Sequence, residues 1–225
     1  MFVIRKNVDG FTLVEMMIAM VISTIIAMVV YFAYSSQQKI YIRQEANVDM
    51  QQNLRAGLYL ISQEVRMAAY DSTGKAGASI INASEKTLQF TQDITDSSGT
   101  ANYGDGLLDG PNENVTISFS GVNNQITRAT GGGVPQSILD NVDFLEFVYT
   151  LDDGTVTLNP PASGYSRIRT VQISILVRSP VSEAKFYNQL AYVTPYGTRI
   201  GGGPFNDNFR RRFLYTTVQC RNINL

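Results

Sequence analysis

The chain has no histidine and no tryptophan, a single cysteine, and no proline before Pro111. Without histidine it lacks the commonest general base near neutral pH and the commonest metal ligand. Ser-His-Asp and Cys-His nucleophile arrangements are therefore excluded, as are Cys/His zinc sites and Cys-x-x-Cys-His haem attachment. No spacing of carboxylates, serines or lysines offers a substitute, so the chain reads as a non-enzyme with no cofactor and no metal. The lone Cys220 cannot close an intramolecular disulfide, and any folded domain must depend on its apolar core. Cys220 alternates with Thr216 and Val218, the pattern of a small buried residue in a strand. Charge is almost balanced, with 18 basic and 19 acidic residues. A surface that tracks phosphates needs an excess of Lys and Arg, so no nucleic-acid partner is expected.

The missing prolines leave a long N-terminal helix unbroken. An apolar run extends from Phe11 to Tyr34, beyond the ~20 residues a helix needs to cross a bilayer. Arg5 and Lys6 precede it, in keeping with the positive-inside rule. The run is too long for a signal-peptide core, and no small-x-small site follows Tyr34. Glu15 lies inside it. A carboxylate at that depth costs on the order of a few kcal/mol, which marks it as functional. Tyr31, Phe32, Tyr34 and Tyr41 read as an interfacial aromatic belt.

After Tyr34 the sequence turns polar. Leu54, Leu58, Ile61, Val65 and Ala68 then recur at 4-3-4-3 spacing, one stripe of an amphipathic helix. Gln52, Arg55, Gln63, Glu64 and Arg66 face the other way. Asp71-Ser72-Thr73-Gly74 reads as the helix stop. Beyond it the period becomes two. Strands are expected at Thr87–Phe90, Val115–Phe119, Gln125–Arg128, Val142–Tyr149, Thr155–Leu158, Ile168–Val177 and Leu214–Cys220, with hairpins at 121–124 and 152–154. The expected class is α+β: a long transmembrane and amphipathic helix packed on an antiparallel β-sheet head. The expected divisions are a leader at 1–10, a membrane half of the helix at 11–34, an amphipathic half at 35–70, and a head at 71–225. The runs Gly131-Gly132-Gly133 and Gly201-Gly202-Gly203 read as connectors.

Two polar clusters invite functional readings. Asp105–Glu113 resembles part of a calcium loop, but with Gly106 as the central glycine the first and third ligand places fall on Ala101 and Tyr103. The twelfth falls on Asn112, so a solvated acidic turn is expected. Arg210-Arg211-Arg212 reads as a solvated strand edge guarded by charge, with an anionic partner as the alternative.

Gly10-Phe11-Thr12-Leu13-Val14-Glu15 resembles the class III leader of type IV pilins and type II secretion pseudopilins. The resemblance implies cleavage by a prepilin peptidase between Gly10 and Phe11, and N-methylation of Phe11. It also implies that Glu15, fifth in the mature chain, assists assembly by intramembrane pairing with a neighbour's amine. Pairing within its own first turn is the alternative. Asp9 departs from the pattern, because relatives usually carry basic residues there. Gln52–Ala56, Glu64–Asp71 and Phe213–Asn222 are similar to the PilW family of minor pilins. That likeness implies a subunit that helps to initiate or cap a type IV pilus. Its partners would be the peptidase, other minor pilins, the major pilin and inner-membrane lipid. It would cross the inner membrane once with a periplasmic head, then join the pilus. Pseudopilin J of type II secretion is similar in plan, and a tip adhesin or DNA receptor is a more distant reading.

Overall fold

The computed structural model describes residues 10–100 and 103–223. The chain divides into two units, residues 1–45 and 46–225, and helix α1 (Leu13–Met67) contributes to both.

In the first unit, every described residue from Gly10 to Tyr34 is exposed, including the large side chains of Met17, Ile22, Ile26 and Phe32. This part of α1 is long and apolar enough to cross a membrane. Its serine and its threonine are satisfied inside the helix. Ser23 donates to the Ala19 carbonyl and Thr24 to that of Met20, each at 2.7 Å, so neither presents an open hydrogen-bond donor to an apolar surrounding.

The second unit holds two antiparallel sheets. The first, in spatial order β1-β2-β3-β4-β5, comprises Ile80–Ala83, Thr87–Thr91, Asn114–Ser120, Gln125–Thr130 and Gln136–Leu139. The second runs β7-β6-β8-β9, where β6 is Val142–Leu151, β7 Val156–Thr157, β8 Ile168–Arg178 and β9 Arg211–Gln219. All seven expected strands form. The periodicity did not reveal β1 and β5, four-residue edge strands whose registers are broken by bulges. Nor did it reveal the division into two sheets.

One core joins α1 to both sheets. Met50, Leu54, Ile61 and Val65 from the helix share it with Leu88, Phe90, Val115 and Ile117 from the first sheet, and with Leu145, Phe147, Val171 and Ile173 from the second. The stripe differs from the expected one at a single position. Leu58 is only partly buried at its margin, and Gly57 takes the central place. A Cβ on Gly57 would meet the Leu139 side chain at 3.3 Å, so the bare backbone lets the helix approach β5 closely. An ion pair ties α1 to the neighbouring strand β4, with Arg128 Nε 2.8 Å from Glu64 Oε1.

The fully buried Leu54 is accordingly the position for a packing test. Leu54→Ala, in a fragment beginning near Gln37, is expected to lower unfolding free energy by about 2–5 kcal/mol. Urea unfolding should show this as a lower midpoint at unchanged slope. A loss below ~0.5 kcal/mol would mean that the stripe does not pack on the sheets.

The helix stops earlier than the sequence suggests. Ala69, with φ 62°, turns the chain and donates its N–H to the Thr91 carbonyl at 2.9 Å. From the C-terminal segment, Asn222 Nδ2 donates to the Arg66 carbonyl at 2.9 Å, satisfying an orphan acceptor of the last turn. Gly74, the expected stop, instead belongs to a loop in which the Asp71 carboxylate accepts the N–H groups of Thr73, Gly74 and Gly77.

Candidate functional site: the N-terminal turn of α1

Gly10, Phe11 and Thr12 precede the helix in non-helical backbone. Phe11 is 86% exposed, and a Cβ built on Gly10 would touch nothing within 4 Å. The Gly10–Phe11 peptide is therefore open to an enzyme. Residues 1–9, including Arg5, Lys6 and Asp9, lie outside the described residues.

Glu15 is the only charged residue between Phe11 and Tyr34. Its Oε2 accepts from the Thr12 backbone N–H at 2.8 Å and from the Thr12 hydroxyl at 3.0 Å. In return the Glu15 N–H donates to Thr12 Oγ1 at 3.2 Å. This reciprocal pair is a capping box: two orphan donors of the first turn are satisfied, and an anion sits at the positive end of the helix dipole. Thr12 thus belongs to the site, although sequence reasoning had not included it. The signal was present, because Thr-x-x-Glu before an apolar run is the sequence form of that cap. In the isolated chain Glu15 pairs with its own first turn.

The other sequence candidates fall elsewhere. Glu113 is fully buried, not solvated. Its Oε1 accepts from the N–H groups of Ile94 and Thr95 at 3.1 and 3.0 Å, and its Oε2 from that of Gly110 at 2.8 Å. The carboxylate thus staples the β2–β3 connection from inside. Asp105 and Asp109 remain exposed, and no group of three acidic side chains able to hold a metal occurs among the described residues. Ala101 lies outside them.

The arginine cluster is also not uniformly solvated. Arg210 forks onto Glu183 at 2.7 and 3.1 Å, and the Arg211 side chain is 1% exposed between Asp143 and Asp207. Only Arg212 stands free among the described residues. β9 is nonetheless an edge strand, as expected. Cys220 is buried just past β9, and burial pushes its thiol up to about 12, so it is inert near neutral pH. Tyr31, Phe32, Tyr34 and Tyr41 are all exposed on α1.

Residues 5–31 match the model of the prokaryotic N-terminal methylation motif. A type IV-like pilin from Thermus thermophilus superposes with a TM-score of 0.51 at 16% identity, covering 77% of this chain and 97% of that one. The fold is type IV pilin-like, and residues 5–31 carry the methylation motif. No curated protein matches it. The pilin-like fold is the long apolar helix with its second half packed on antiparallel sheet.

Proposed function

We propose that this chain is a minor pilin of the PilW kind. It is made as a precursor, cut after Gly10 and methylated on Phe11. Residues 11–34 hold it in the inner membrane with the head in the periplasm. Helix bundling with other minor pilins and head contacts then start or cap a pilus. The protein does no chemistry of its own. One observation supports this reading above the others: the methylation motif runs into the exposed apolar part of α1, where Glu15, the single charge before Tyr34, sits in the first turn.

Cleavage after Gly10 creates an ammonium on Phe11, one residue before the cap. A positive charge there opposes the helix dipole and needs a counter-charge in an apolar setting. Glu15 supplies one. Thr12 holds its carboxylate at the helix end, and a neighbour's amine can share it on docking. A type II secretion pseudopilin would use the same residues in the same way, so the filament that contains the subunit separates the two.

Glu15→Gln keeps the shape and a hydrogen-bonding group but removes the charge. It is expected to leave the mature-to-precursor ratio in membranes near wild type and to lower several-fold the amount of subunit in sheared filaments. Normal incorporation together with normal cleavage would show that the charge is dispensable. A cleavage defect alone would move the role of Glu15 to the peptidase.

A further inference from the structure

Of the three successive arginines, two are consumed internally and one is not. Arg210 is held by Glu183 and stacks 4.3 Å from the Phe186 ring, while Arg211 is held by Asp143 and Asp207. Arg212 pairs in register with the buried Val177, so it leaves β9 on the face where α1 packs. There it lines a cavity of ≈ 140 Å³ with Gln51 and Arg55 of α1 and with Phe213 and Leu214. Neither the Arg55 nor the Arg212 side chain has an ion-pair or hydrogen-bond partner among the described residues. Arg55 has no acidic residue three or four positions away on its helix that could screen it. Two arginines without a counter-charge therefore line one small recess, in a chain whose total charge is only −1.

Like charges gathered this way repel unless an anion joins them. Planar guanidinium forks suit the paired oxygens of an oxoanion, Gln51 adds an amide donor, and Leu214 offers an apolar wall to an attached stem. A water takes ~30 Å³ of liquid, so the recess has room for a carboxylate and its methylenes.

We infer that Gln51, Arg55 and Arg212 form an oxoanion site, and that its occupant is an Asp or Glu carboxylate on a neighbouring subunit. The assignment of the neighbour rests on the filament reading above; the anion site itself does not. A free inorganic oxoanion is the other source of the same chemistry.

Two measurements separate these possibilities. In the first, full-length protein in detergent is heated in sodium phosphate or sodium acetate, with sodium chloride at equal ionic strength as reference. Both oxoanions are expected to raise Tm in a concentration-dependent way beyond chloride, and the Arg55→Gln, Arg212→Gln double variant is expected to lose that difference. Both side chains are exposed, so the variant should fold. Equal behaviour in oxoanion and chloride, or an unchanged response in the double variant, overturns the site. In the second, Arg212→Glu is expressed in cells. Processing is expected to be normal, with a several-fold loss from sheared filaments. Wild-type incorporation alongside an intact anion response overturns the neighbour and leaves the free anion as occupant. If the wild-type subunit is itself absent from filaments, the pilus reading fails, while the Tm comparison still decides the site.

Discussion

Gly10→Glu is expected to abolish maturation. Membranes should hold only full-length precursor, with no species beginning at Phe11 and no methylated amine, when intact mass is measured. The fold does not require glycine at this position. Its backbone does not take the left-handed conformation, and an added Cβ would have open space around it. A loss of processing therefore reports on the enzyme that cuts the chain, not on misfolding. The physical reason is steric and electrostatic: an exposed peptide next to a residue without a side chain lets a protease close on the backbone, and a glutamate there obstructs that approach. Unaltered urea unfolding of the mutant head would confirm that only the processing step is affected. A mutant chain that still began at Phe11 would sink the cleavage assignment and, with it, the proposed amine that Glu15 is to meet.

Replacing Arg211 by methionine is expected to destabilise the head by about 3–5 kcal/mol, the usual cost of removing one partner from a buried ion pair. Its guanidinium lies 2.6 Å from Asp143 Oδ2 and 2.6 Å from Asp207 Oδ1, and 3.7 Å from the centre of the Phe205 ring. It thereby fastens β9 to β6 and to the segment between β8 and β9. Methionine fills similar volume but takes the fork from Asp207 and the closer of two cations from the Asp143 side chain, which is only 8% exposed and keeps Arg178 at 3.4 Å. Lysine keeps the charge but loses the fork, and should fall between the two.

The pH dependence follows from Asp207. Hydrogen bonds from Arg211 hold its carboxyl below the usual range. A depressed folded pKa contributes stability above the unfolded value of about 3.9, and that contribution is lost as pH falls through the folded value. The difference between wild type and Arg211→Met, measured by chemical denaturation, should thus be full near neutrality and narrow below about pH 4. A difference independent of pH would show that Arg211 acts by packing alone.

Several features were readable because they depend on local rules. Periods of 3.6 and 2 follow from the geometry of one helix or one strand, so the stripe from Leu54 to Ala68 and all seven expected strands could be read before any fold was known. The edge strands β1 and β5 escaped because short, bulged segments carry too few alternations. The helix ends before Gly74, the locally favoured stop, because Ala69 turns where its N–H meets the Thr91 carbonyl across the domain. Charged residues were the hardest to place. Glu113 and Arg211 look solvated in the sequence and are buried in the fold, since partners 18 and 68 residues away replace the water they give up.

By itself, the sequence determined the apolar run from Phe11 to Tyr34, the lone charge at Glu15, the glycine before Phe11, and the exclusion of histidine-based chemistry. Each is a property of neighbouring residues or of composition. Only the tertiary structure decided that two sheets share one core with α1, that Gly57 rather than Leu58 meets β5, and which of three adjacent arginines remains free beside Arg55. Burial and ion pairing depend on residues distant along the chain, and their proximity comes into being only when the chain folds.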